Sequence, residues 1–95
     1  MRRLFLLVGL ALAPLSASAQ GLIVERYISA ALAAEAAAAA VEACAGRGHR
    51  VTAAVVDRSG VLRALLRADG GGPHTVSAAR AKAYTAASMR AGTSP

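Results

Sequence analysis

A tight turn between two short β-type runs sets the strongest limit on how this chain can fold. Val51–Val56 is short, apolar and rich in valine, and Val61–Arg67 follows it after the turn Asp57–Gly60. Aspartate at the start of a turn and glycine near its end are typical of a β-hairpin. A single hairpin is not stable alone in water, and both of its edges are unpaired. Helices or other chains must therefore cover it.

An alanine-rich helix is predicted before the hairpin. Ala30–Ala45 consists mainly of the strongest helix former, Ser29 stands at the N-cap position, and Gly46 follows the last helical residue. Glu35 and Glu42 share one face, which we expect to be solvated. The face that we expect to pack carries Ile28, Leu32, Ala36, Ala39 and Ala43.

A second helix is predicted after the glycine-rich loop Asp69–Pro73. We expect Thr75 to cap this helix, which runs to Met89 and is closed by Gly92. Its apolar side carries Val76, Ala79, Ala83, Ala86 and Ala87. Another stripe of it carries His74, Ala78, Lys82, Thr85 and Met89.

The order helix, antiparallel hairpin, helix predicts an α+β fold. In the second strand, the alternation places Leu62, Ala64 and Leu66 on one apolar face, and Arg63 and Arg67 on the other.

Asp57 and Asp69 can be interpreted as paired carboxylates for acid–base work or a metal. They can equally be turn residues whose oxygens accept backbone N–H bonds, and we favour this second interpretation.

The N-terminus has the order of a cleavable signal peptide, assigned to residues 1–19. Arg2 and Arg3 form a positive start, Leu4–Ala13 is apolar, and Ala17-Ser18-Ala19 has the small-residue pattern of a cleavage site. The apolar run is too short for a stable membrane span. This pattern predicts export to the periplasm or medium, with no membrane association after cleavage. The paired arginines also fit the twin-arginine signal, so both export routes stay open.

The remaining residues, 20–95, are enough for one small domain. Cys44 is the only cysteine, so no disulfide can form within one chain. We expect a buried thiol in the first helix, and a link between two chains is the alternative.

The formal net charge is +6, but the basic residues are dispersed. Tyr27 and Tyr84 are the only aromatic residues beyond the leader, so base-stacking platforms are absent and a nucleic-acid partner is not expected.

Three fragments resemble the GlcG/HbpS family of haem-binding and haem-degrading proteins, which is related to a domain of some corrinoid adenosyltransferases. Ala54–Leu62 resembles the hairpin A-V-V-D-x-x-G-x-L, Arg67–Gly70 the loop entry R-x-D-G, and Lys82–Ala86 the helix K-A-Y-T-A. Family members continue with a further helix and glycine-rich strands. The resemblance therefore implies that residues 20–95 form a partial profilin-like α/β sandwich that lacks its C-terminal strands. It also implies assembly into homo-oligomers.

The resemblance implies that haem or a related tetrapyrrole is the ligand. His74 is the candidate metal ligand, because neutral imidazole ligates haem iron. Alternatively, it is a loop histidine that contacts the start of the helix. Lys82 and Arg67 could pair with propionate carboxylates. Tyr84 and Met89, on the same helix as Lys82, complete the candidate cofactor-binding residues.

We expect binding rather than turnover, because the sequence shows no serine–histidine–acid order and no zinc-ligand spacing. Two alternatives stay open. The first is an enzyme domain that degrades haem or acts on a corrinoid or small organic acid. The second is a fragment that binds nothing and persists only by association, since Thr93-Ser94-Pro95 is typical of the start of another helix. His49, in a loop with two arginines, is expected to be solvated.

Overall fold

The computed structural model describes residues 21–90 and 92, which form a helix, a hairpin and a second helix. The elements are α1 (Ala30–Gly46), β1 (Thr52–Val56), β2 (Leu62–Arg67) and α2 (His74–Met89). The α+β class and the order of elements are confirmed. The signal peptide and the segment Thr93–Pro95 lie outside the described residues. Within the described part of the chain, neither helix is long and apolar enough to cross a membrane.

The hairpin is antiparallel and contains one irregularity. Val55 lies opposite Ala64, whereas Val56 lies opposite Leu62, so Arg63 is an extra residue in β2. A bulge of this kind reverses the alternation of side chains beyond it. The expected common face of the three apolar β2 residues is therefore wrong. Leu62 shares a face with Val56, and Ala64 lies on the opposite face of the sheet.

Asp57 organises the turn between the strands. Its Oδ1 accepts the backbone N–H of Ser59 at 2.9 Å and that of Val61 at 3.1 Å. Gly60 has a φ of +81°, which side chains disfavour, and an added Cβ would lie 3.1 Å from the ring of Tyr84. The interpretation of Asp57 as a turn residue is therefore confirmed.

Replacing Asp57 with alanine is expected to destabilise the fold by about 1–2 kcal/mol, because two backbone donors of the turn lose their acceptor. Urea unfolding followed by circular dichroism measures the loss. Asp69→Ala is the matched control. Within the described residues the Asp69 carboxylate accepts no hydrogen bond, so its loss should cost under about 0.5 kcal/mol. Equal losses at the two positions would contradict this role of Asp57.

The two helices cover opposite faces of the hairpin. Each helix packs against both strands, and within the described residues the helices do not approach one another. All five residues of β1 are half-buried, as expected of a strand covered on both sides. The hydrophobic residues that are fully buried in the described region are small, namely Ala33, Ala37 and Ala68. The hairpin is therefore held in a thin sandwich.

The packed face of α1 differs from the one that the sequence predicted. Ala33 and Ala37 are 0% and 2% exposed, and Val41 and Cys44 on the same stripe are half-buried. Leu32 is 54% exposed instead of packed. The Cys44 thiol is free. Alanine surrounds the whole helix, so the approach of the helix to the sheet, and not an apolar stripe, decides its rotation. The expected packing residues Ala36, Ala39 and Ala43 are exposed as well.

The C-terminus of α1 is closed by a Schellman motif. Gly48 has a φ of +82°, and its N–H donates to the carbonyl of Ala45 at 3.0 Å. The His49 N–H donates to the carbonyl of Cys44 at 2.9 Å. These two bonds satisfy carbonyls that the helix itself leaves without donors. The closing glycine is thus Gly48, and the expectation for Gly46, the last helical residue, is wrong.

The ends of α2 also differ from expectation, whereas its packed side does not. Pro73 holds the N-cap position with no side-chain cap, and Thr75 is the second helical residue. At the other end Arg90, with a φ of +51°, takes the left-handed position that was expected of Gly92. The predicted apolar side is confirmed, since these residues are half-buried: Val76, Ala79, Ala83, Ala86 and Ala87.

Candidate functional site

A groove lies where the start of α2 meets the start of β1. Its volume is about 240 Å³. One wall comes from α2, and the other comes from β1 and the residues just before it. The fold places these two chain segments side by side, although more than twenty positions separate them in the sequence. The lining residues are Arg50, Val51, Thr52, His74, Thr75, Ala78, Ala79 and Lys82.

Two threonines join the walls of the groove. The Thr75 hydroxyl donates to the carbonyl of Gly72 at 2.5 Å, and the Thr52 and Thr75 hydroxyl oxygens lie 2.6 Å apart. Each hydroxyl has one proton to donate. With the Thr75 proton committed to Gly72, Thr52 donates to Thr75. This chain of hydrogen bonds fixes the first turn of α2 against β1.

His74 lies on the rim of the groove with its imidazole exposed. Its ring covers Gly72, where an added Cβ would lie 2.6 Å from the nearest ring carbon. Within the described residues neither ring nitrogen is in a hydrogen bond with the protein. A neutral imidazole in this setting can offer a nitrogen lone pair to a metal.

Two cations flank the groove. The Arg50 guanidinium donates through Nη1 to the carbonyl of Asp69 at 3.0 Å, which positions it, and its other N–H groups have no hydrogen-bond partner among the described residues. Lys82 lies two turns along α2 from His74, on the same face. The N-terminus of α2 has no side-chain cap. Its partial positive charge and the two cations together favour an anionic group here.

The other candidate residues lie outside the groove. The Arg67 guanidinium donates to the carbonyl of Gly71 at 2.5 Å and so stabilises the glycine loop. Tyr84 lines a separate cavity of about 280 Å³ with Arg80 and Leu62. Met89 is 71% exposed at the end of α2, roughly 22 Å along the helix axis from His74. The structure therefore brings together His74 and Lys82, and it places the other three elsewhere.

Arg50 and the threonine pair were missed as site residues. In the sequence Arg50 stands in a loop and Thr52 in a strand, and no motif connects either of them to the second helix. His49, beside Arg50, is exposed as expected. In the described ranges no three His, Cys, Asp or Glu residues cluster as a metal site would require.

The comparison with protein families identifies the chain. A family model described as haem degrading protein HbpS-like matches residues 28–95. The chain belongs to this family. The match includes α1, the hairpin and α2, and therefore every residue of the groove. No curated protein and no solved structure matches the chain significantly.

Proposed function

We propose that this HbpS-like chain is exported and binds haem in the groove, with His74 supplying the nitrogen ligand of the iron. One observation carries the proposal. The groove collects an imidazole that has no hydrogen-bond partner among the described residues, two cations and an apolar wall, all within the residues that match the family. Free haem offers matching chemistry: an iron with an open coordination position, two propionate carboxylates and an apolar macrocycle.

The residues present fit one edge of such a ligand. Arg50 and Lys82 would hold the propionates by charge-assisted hydrogen bonds. Val51, Ala78 and Ala79 would contact the macrocycle. The groove is smaller than the ~300–1,000 Å³ that ligand-enclosing clefts usually have. It would therefore cover only part of haem, and a second copy in a homo-oligomer would cover more.

Export is the second component of the proposal. It is supported by the sequence of residues 1–19, in which a positive start, an apolar run and a small-residue cleavage pattern follow in order. Mass spectrometry of the protein recovered after expression in full would identify the N-terminal residue. Cleavage after Ala19 is expected, and recovery of the uncleaved chain from the membrane would contradict it.

A haem titration of the chain, expressed in full and purified after export, tests the binding site. We expect a saturable one-to-one absorption change with the spectrum of ligated iron. Arg50→Gln and Lys82→Gln should each weaken the affinity about two- to fivefold, because both cations are near solvent. Haem dimethyl ester, which lacks the carboxylates, is the matched control and should bind all three proteins equally. Equal weakening with the ester, or no saturable change, would contradict the site.

Haem turnover is the second candidate, since the matched family is described as haem-degrading. Adding a reductant and oxygen to the haem-loaded protein separates the two functions. A persistent spectrum would support binding alone. Protein-dependent loss of haem absorbance with the appearance of a ring-opened product would show that the chain is an enzyme.

A further inference from the structure

A second cavity, of about 280 Å³, lies between α2 and the tip of the hairpin. None of its lining residues also lines the groove, so the two cavities are separate. Arg80 and Tyr84 of this cavity stand two positions before and after Lys82 of the groove, which places them about 200° around the helix from it. The lining residues are Val56, Gly60, Leu62, Arg80, Ala81 and Tyr84.

The floor of this cavity is apolar and is formed where the two strands meet the turn. The Thr52 hydroxyl oxygen lies 2.6 Å from that of Thr75, so Thr52 faces α2. Val56 stands four positions along β1 from Thr52 and faces α2 as well. Leu62 lies opposite Val56 across the hairpin and shares this face. Both floor side chains are half-buried, so each keeps apolar surface that a ligand can contact.

Tyr84 forms the wall of the cavity at the hairpin turn. Its ring packs against Gly60, where an added Cβ would lie 3.1 Å from a ring carbon. The glycine therefore permits this close approach, and the turn holds the ring in place. Tyr84 is still 59% exposed, and its hydroxyl has no hydrogen-bond partner among the described residues. This hydroxyl can donate to a ligand in the cavity.

Arg80 adds a positive charge one helical turn before Tyr84. Its side chain is exposed, and among the described residues its guanidinium has no hydrogen-bond partner. No carboxylate is part of the lining. The acidic residue of the adjacent turn, Asp57, directs its Oδ1 to the N–H groups of Ser59 and Val61. The cavity therefore offers a guanidinium and a hydroxyl donor to one anionic group, above an apolar floor.

We propose that this cavity binds a small monocarboxylic acid with a compact apolar body. Arg80 and the Tyr84 hydroxyl hold the carboxylate by charge-assisted hydrogen bonds. The floor residues Val56 and Leu62 contact the body, together with Ala81. The cavity volume lies just below the ~300–1,000 Å³ that is usual for ligand clefts, which favours a ligand smaller than a drug-sized molecule. The proposal concerns the chain without haem and does not depend on the haem site.

Tyrosine fluorescence of the haem-free chain, expressed in full and purified after export, tests this site. Tyr27→Phe leaves Tyr84 as the single tyrosine, and the chain has no tryptophan. Cyclohexanecarboxylate is the probe, because its body is apolar and does not absorb at the wavelengths that excite tyrosine. We expect saturable quenching with a dissociation constant of about 1 mM or below. Cyclohexylmethanol, which has the same body without the charge, should bind at least about twofold more weakly.

Removing the positive charge identifies the residue that holds the carboxylate. In the Tyr27→Phe chain, Arg80→Gln should weaken binding of the acid about two- to fivefold and leave binding of the alcohol unchanged. Arg47→Gln is the matched control. It removes an exposed guanidinium at the end of α1, on the opposite face of the hairpin, and should leave both affinities unchanged. Circular dichroism checks that each variant is folded.

Filling the cavity provides a second test that leaves the charge in place. Ala81 is exposed on α2, so Ala81→Leu should fold while its side chain occupies the cavity. We expect this variant to weaken the binding of acid and alcohol alike, at least about fivefold. A linear response to the acid up to about ten times the expected dissociation constant would overturn the proposal. Equal affinities for acid and alcohol, or equal weakening by the two arginine variants, would overturn it too.

Discussion

Replacing His74 with alanine is expected to remove the spectrum of histidine-ligated iron and to weaken haem binding at least about tenfold. The imidazole is the side chain on the rim of the groove that haem iron commonly binds, and the described lining holds no other histidine and no cysteine, methionine or tyrosine. Absorption and electron paramagnetic resonance spectra of the haem complex measure the change. His49→Ala is the control, because His49 is exposed in the loop before β1 and should not affect either spectrum.

The position of the His74 ring can be tested without removing the ring. In Gly72→Ala the new Cβ would lie 2.6 Å from the imidazole, so the side chain must move. We expect a haem spectrum that still shows a nitrogen ligand but an affinity between those of the wild type and His74→Ala. If His74→Ala binds haem with the wild-type spectrum and affinity, the iron is held elsewhere and the assignment fails, whatever the family function.

Enlarging Ala37 to leucine is expected to destabilise the fold by about 1–3 kcal/mol, a large part of the stability of so small a domain. Ala37 is 2% exposed where α1 contacts the sheet, so three more carbon atoms must displace the atoms that pack against it. Either α1 moves away from the strands or the leucine adopts a strained rotamer. Urea unfolding measures the loss.

Ala36→Leu is the matched control for this substitution. Ala36 is the neighbouring residue on the same helix and is exposed, so leucine there should change stability by under about 0.5 kcal/mol. The sequence pattern predicts Ala36, not Ala37, on the packed face. A larger loss at Ala36 than at Ala37 would therefore restore that orientation of α1 and contradict the structure.

Local chemistry made much of the fold predictable. The turn between the strands depends on Asp57 and Gly60, whose preferences act over four residues. Ser29 caps α1 as predicted, accepting the N–H of Leu32 at 3.1 Å. Such features need no distant partner. The same holds for the positive φ of Gly70 in the loop before α2.

The predictions that were wrong concern positions where two or more neighbouring residues could take the same structural role. Gly46 and Gly48 could each close α1, and the contacts of the following loop select Gly48. The bulge at Arg63 inserts one residue into the register of β2, which strict alternation cannot anticipate. Each of these outcomes is a choice among nearly equal local options, so the surrounding packing decides it.

Some residues of the candidate site could be predicted from local spacing, and others could not. His74 and Lys82 lie on one stripe of a single helix, so their common face could be predicted from helical spacing. Arg50 joins them only because the start of β1 packs beside the start of α2 through the Thr52–Thr75 hydrogen bond. Helix spacing equally linked Met89 to this stripe, but the length of α2 separates it from the groove.

The sequence by itself determined which segments are helical, where the hairpin turns, and that one helix face carries an imidazole and an amine. These follow from propensities and spacings within a few residues. Tertiary structure alone decided which face of the alanine-rich α1 meets the sheet, since alanine on every side leaves the rotation to the closest packing. It also decided that Arg50 completes the groove, because only the folded sheet brings the residues before β1 to the first turn of α2.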